Sequence, residues 1–198
     1  MSNMIPDMTI SGFLGALGSH TPSPGGGAVA ALSGASGASL LLMAAEFSGW
    51  TDGSPDPRPR LKELSARILA LAQEDAEVYA AYSAARTSKE SDPAGYARAV
   101  EAIAETPAKF CETAVEALEL VPVIIRHAPK WFACDIAIAA SGLEACADGG
   151  RLLSGINVAS LKEPAKSRMA ERLAAVEAKL EKVRRTNSPL LMRALPGK

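Results

Sequence analysis

No lysine or arginine occurs before Arg58, so the N-terminus lacks the basic region that opens a secretory signal. The three cysteines, Cys111, Cys134 and Cys146, form no CxxC pair. That argues against a disulfide framework or a zinc site and fits a reducing cytoplasm. Two histidines, His20 and His127, are too few for a His-rich metal centre, and no metal site is expected. His127, set among Arg126, Ala128, Pro129 and Lys130, reads as a solvated loop residue. The sequence has no Gly-x-x-x-x-Gly-Lys-Ser/Thr phosphate loop, no dinucleotide fingerprint after a strand and no Gly-x-Ser-x-Gly elbow, which leaves the common nucleotide and hydrolase sites unsupported. A net charge of −1 gives no electrostatic case for nucleic acid. No run of alternating β-branched residues signals a strand.

What is present is helical periodicity. At 198 residues the chain suits one domain that buries about 70% of its unfolded surface. The organising stretch opens with Pro22, Ser23, Pro24, Gly25, Gly26 and Gly27 and then runs about twenty residues without a charge. Glycines bare the backbone, and the first N–H groups of a helix lack intrahelical partners, so this turn reads as a cradle for an anionic or amide-rich ligand. The apolar run Ala28 to Ala45 is mostly Ala, Ser and Gly without basic flanks, which favours a buried core helix over a membrane span. Before it, Asp7 or Thr9 caps a short helix carrying Ile10, Phe13, Leu14 and Leu17.

From Arg58 to about Arg86 a long helix carries Leu61, Leu64, Ile68, Leu71, Asp75, Val78 and Tyr82 on one stripe. Asp75 thus faces the core side, where a carboxylate must be paired, hydrogen-bonded or lining a pocket. Glu74 and Glu77 fall on solvated faces. Asp92 and Pro93 start the next helix, and Pro107 should kink or split it near Glu105 and Thr106. Cys134 to about Val158 forms another helix, with Ile136, Ala140, Leu143, Ala147, Gly150, Ser154 and Asn157 on its buried side and Asp135 in its first turn. Pro164 starts the last, amphipathic helix, with Glu181 and Arg185 spaced as an i,i+4 pair. The expected fold is all-α, about six helices in one domain over residues 1–187, with residues 188–198 a C-terminal tail.

The Pro-Gly-Gly-Gly element, together with Ala28 to Leu32, Met43, Glu74, Asp75, Tyr79, Lys89, Pro107, Asp135 and Asn157, resembles the formiminotetrahydrofolate cyclodeaminase and methenyltetrahydrofolate cyclohydrolase family. The resemblance covers nearly the whole chain. It implies a helical homodimer with a tetrahydrofolate derivative bound near the glycine turn, close to a subunit boundary, with no cofactor beyond that substrate and no membrane or nucleic-acid partner. It implies Asp75 and Asp135 as acid/base or cation-stabilising groups, Lys89 as a group contacting a carboxylate or opposing an acid, and Pro24, Gly25, Gly26, Gly27 and Asn157 as substrate contacts. The chain departs from the family pattern at Ala28 and Cys134, where Ser is usual, at Leu153, where Asn is usual, and at Thr87 and Ser88, where Leu and Pro precede the Lys. The expected reaction is hydrolysis of 5,10-methenyltetrahydrofolate to 10-formyltetrahydrofolate, with formiminotetrahydrofolate cyclodeamination as its alternative. A folate-binding relative without turnover and a helical oligomerisation module are the further readings.

Overall fold

Thr9 and Asp92 start helices by the same chemistry: each side chain accepts a hydrogen bond from a backbone N–H three residues on, Gly12 at 3.0 Å and Gly95 at 2.8 Å. The computed structural model describes residues 4–195. Among them are seven α-helices and no strand: α1 (Ile10–Leu17), α2 (Gly26–Glu46), α3 (Arg58–Thr87), α4 (Pro93–Leu118), α5 (Val121–His127), α6 (Ala133–Val158) and α7 (Ala165–Ala194). The expected all-α fold is the one observed, with α5 standing as an extra short helix.

α2 and α6 lie side by side at the centre, with α3 and α4 completing the bundle and α7 laid across α4 and α6. The small residues of α2 make this possible. A Cβ at Gly37 would stand 2.6 Å from the Ala139 carbonyl oxygen, and one at Gly142 would stand 2.9 Å from that of Ser33, so the two backbones pack at a distance no side chain would permit. α2 is also the one helix among the described residues long and apolar enough to cross a membrane. Its Ala31, Ala38, Leu41, Ala44 and Ala45 are fully buried inside the bundle, as in a core helix.

α4 runs unbroken through Pro107 rather than splitting there. A proline at position i offers no N–H to the carbonyl at i−4, here Ile103, and a buried carbonyl left alone is costly. Asn157 of α6 supplies the missing donor, its Nδ2 lying 2.7 Å from the Ile103 oxygen, while Ser154 Oγ donates to the Ala104 oxygen at 2.7 Å. The device recurs. Pro122 in α5 deprives Leu118 of its partner, and Asn187 Nδ2 of α7 meets the Leu118 oxygen at 2.9 Å. Asn187→Ala should cost about 1–3 kcal/mol in denaturant unfolding by orphaning that carbonyl. Adding Pro122→Ala, which restores the backbone donor, should recover part of the loss.

Three expectations are corrected here. Asn187 is buried and α7 continues through Pro189 to Ala194, so residues 188–194 belong to a packed helix and not to a tail; residues 196–198 lie outside the described residues. Glu181 pairs with Arg184 at 3.1 Å rather than with Arg185, because Arg184 also reaches Glu144 and Asp148 on α6. His127 is not a solvated loop residue. Its side chain is 9% exposed, tilted against the Trp50 ring with centroids 4.8 Å apart, with Nδ1 2.8 Å from the Val123 oxygen and Nε2 2.8 Å from Asp52 Oδ2. Both ring nitrogens face acceptors, which favours the doubly protonated ring. The hydrogen bond to Val123 and then that to Asp52 raise its pKa above the usual 6.5.

Candidate active site

Gly25 caps α2 without a side chain to offer, and the first backbone bond of the helix is from Val29 N to the Gly25 oxygen at 3.1 Å. The N–H groups of Gly26, Gly27 and Ala28 therefore have no protein acceptor among the described residues. They open, with the positive end of the helix dipole, toward a cleft of about 240 Å³. Its walls are Pro22, Ser23 and Gly25 to Gly27 from the start of α2; Asp75, Ala76, Val78, Tyr79 and Tyr82 of α3; Ile103 and Pro107 of α4; and Leu153 and Asn157 of α6.

Asp75 is the one carboxylate in this lining. No hydrogen bond or ion pair reaches it among the described residues, and burial alone pushes its pKa from 3.8 up to about 6. Gly27 makes room for it. A Cβ there would stand 2.5 Å from Asp75 Cγ and 2.7 Å from Oδ1, so the carboxylate lies against the first turn of α2 because residue 27 has no side chain. A carboxylate poised near neutrality can hold a cation or pass a proton back and forth.

The neighbouring Glu74 is turned elsewhere. It is half-exposed, as is its ion pair with Lys109 Nζ at 2.7 Å, and it accepts from Thr106 Oγ1 at 3.0 Å. Burial acts to raise its pKa, but those two hydrogen bonds and the Lys109 charge together bring it below the usual 4.5. The pair joins α3 to α4.

The other sequence-derived site residues divide. Gly25, Gly26, Gly27, Asp75 and Asn157 come together in the cleft, whereas Pro24 does not line it and Pro22 and Ser23 do. Asn157 spends its Nδ2 on Ile103 and keeps its Oδ1 without a protein partner. Lys89 lies outside the cleft, with Nζ over the Tyr96 ring at 5.1 Å, lining a separate hollow of about 370 Å³. Asp135 occupies the first turn of α6. At 1.5 Å per residue it stands about 33 Å along that helix from Asn157, so one chain does not bring it to Asp75. Tyr79 and Tyr82 were not singled out as site residues. Their signal was the α3 stripe itself, since both follow Asp75 at helical spacing. Leu153 makes apolar a wall where the family pattern has an amide.

The family model for formiminotransferase-cyclodeaminase matches residues 9–176. The chain belongs to that family. The matched stretch includes every residue of the cleft. Among solved structures, formiminotetrahydrofolate cyclodeaminase from Thermotoga maritima, a crystal structure at 2.80 Å resolution, is similar with a TM-score of 0.85. The match covers 95% of this chain and 98% of that one at 22% sequence identity, a likeness of fold. No curated protein matches. As a member of the formiminotransferase-cyclodeaminase family, the chain is placed among folate one-carbon proteins, and the unpartnered Asp75 lying against the glycine turn is its most chemically loaded feature.

Proposed function

We propose that the cleft closes 5-formiminotetrahydrofolate to 5,10-methenyltetrahydrofolate with release of ammonia. The observation that carries this reading is the unpaired Asp75 carboxylate, half-buried beside the free N–H groups of α2. Of the two reactions expected from the sequence, cyclodeamination is better supported than hydrolysis of the methenyl bridge, because the family description and the similar solved structure both carry the cyclodeaminase name. The substrate reacts as the formiminium cation, which the Asp75 carboxylate holds by charge. The anilino nitrogen N10 attacks the formimino carbon carried on N5, and Asp75 takes the N10 proton as the N–C bond forms. The resulting carboxylic acid returns that proton to the amino group, the C–N bond to it breaks, and ammonia leaves the methenyl cation behind. The N–H groups of Gly26, Gly27 and Ala28 hold carbonyl or anionic atoms of the ligand, and Asn157 Oδ1 accepts from its amino groups. The test is purified protein with 5-formiminotetrahydrofolate, reading ammonia release and appearance of the methenyl product. Consumption of added methenyltetrahydrofolate without any ammonia-forming activity would replace this reading with hydrolysis by the same carboxylate.

We also propose that the working form is a homodimer built on α6. The chain exposes 10770 Å², against roughly 8,900 Å² for a monomer of 20.5 kDa. The surplus exceeds the ~800 Å² that each partner contributes to a standard interface. Cys134, Ile138, Ser141, Ala145, Leu152 and Ile156 form an exposed, uncharged stripe along all of α6. α1 leaves Ile10 and Leu14 82% and 58% exposed, and Leu14 lines one hollow with Ile138 of the stripe. An antiparallel twofold pairing about Ala145 would bring Asp135 of the partner subunit level with the Asn157 end of the cleft. Both residues follow the stripe by one position, so the twofold puts them on the same side of the helix pair. Leu152→Glu should yield a monomer in sedimentation.

A further inference from the structure

The cleft of about 240 Å³ falls below the ~300–1,000 Å³ of small-molecule sites. It accommodates the bicyclic head of a folate and leaves its benzoyl-glutamate end to be placed. A second hollow of about 370 Å³ adjoins it. A row of rings joins the two: Tyr79 and Tyr82 of the cleft lie 6.5 Å apart, and Tyr82 stacks on Tyr96 of the hollow at 6.1 Å. A backbone hydrogen bond joins them as well, from Ser160 N–H of the hollow to the Asn157 oxygen at 3.0 Å.

The charges in the hollow differ from those in the cleft. Lys89 and Lys162 line it with a single carboxylate, Glu101, and neither lysine forms an ion pair among the described residues. Lys89 is held over the Tyr96 face, a contact that fixes the ammonium group without neutralising it. The path from Asp75 past Tyr79, Tyr82 and Tyr96 to Lys89 thus runs from a site for a cationic carbon to a site for anions, with flat aromatic surface between. Resting on the folate reading above, we infer that the hollow of Lys89, Tyr96, Ser160 and Lys162 binds the glutamate tail of the substrate, with the two lysines paired to its carboxylates. Lys89 is then a specificity residue at the far end of the ligand, not a participant in proton transfer.

The experiment compares 5,10-methenyltetrahydrofolate with the corresponding tetrahydropteroate, which lacks the glutamate, by equilibrium dialysis and by kinetics. Wild type should bind the tailed ligand on the order of thirtyfold more tightly, a preference weakened by salt. Lys89→Gln and Lys162→Gln should each cut that preference about fivefold through weaker binding of the tailed ligand alone, raising KM in whichever reaction the protein performs and leaving kcat within about twofold. Equal affinity of wild type for the two ligands, or a preference that survives both substitutions, would overturn the assignment. Binding without turnover of any folate would sink the cyclodeaminase reading while leaving the tail contrast measurable. Binding of neither ligand would end both.

Discussion

Asp75→Asn is expected to lower kcat/KM for cyclodeamination about 10³-fold, within the range that positioned acid–base groups contribute. It should leave binding of the folded protein to a neutral folate nearly intact. The wild-type pH profile should show the same group. Asp75 works as a base in its ionised form, and its pKa in the free protein is about 6, so kcat/KM should fall as pH drops through 6 and lie flat above it. The variant should lose that limb along with the rate. Stability should move in the opposite direction. A carboxyl whose folded pKa is raised binds protons more tightly folded than unfolded, so its contribution is full below about pH 4 and is lost as pH rises through 6. At pH 7 the charged, unpartnered group opposes folding. Asp75→Asn should therefore raise stability at pH 7 by about 1–2 kcal/mol, read from denaturant midpoints, and the gain should vanish near pH 4. An equally active or a less stable variant would remove Asp75 from the role given to it.

Gly27→Ala is expected to reduce turnover at least about 10²-fold with a thermal midpoint within a few degrees of wild type, because a misplacement of about 1 Å in a catalytic group is enough to cost that much. The added methyl would overlap the Asp75 carboxyl group, which sits at the end of a side chain and can rotate aside. Helix packing survives such a rotation, but the carboxylate no longer faces the reacting carbon. Its raised pKa should also drop toward the ordinary 3.8 as the group swings into water. Gly26→Ala is the control. A Cβ at Gly26 meets no protein atom within 4 Å and leaves the backbone N–H in place, so that variant should lose less activity than Gly27→Ala. If the two substitutions behave alike, the spacing of Gly27 from Asp75 is not what matters.

Much of this arrangement is legible along the chain. The 3/4 stripes of α3, α6 and α7 identify the buried Leu61, Leu64, Ile68, Ile136, Leu143, Val176 and Leu180, because a helix has only one face to turn inward. The same periodicity singles out Asp75 as a carboxylate on the wrong side, and the glycine triplet marks the bare start of α2. Lys89 and Asp135 belong to the same family pattern, yet one lies in the neighbouring hollow and the other a helix length away. A list of matched residues carries no distances between helices. The burial of His127 and Asn187 was hidden for a related reason. Each is called in by a group far away in the chain, Asp52 for the histidine and the proline-orphaned Leu118 carbonyl for the asparagine.

The sequence by itself determined the helical segments apart from α5 and the last turns of α7, the apolar stripes of α3, α6 and α7, and that an acid and a bare glycine turn break the rule for a buried surface. Those are local properties, set by propensity and by the 3.6-residue period. Only the tertiary structure decided that Gly27 and Asp75 touch and that Asn157 supplies the donor that Pro107 withholds from α4. It also decided that Lys89 faces a second hollow. Such facts depend on how closely and at what register two helices pack, which is settled by side-chain volumes contributed from distant parts of the chain at once.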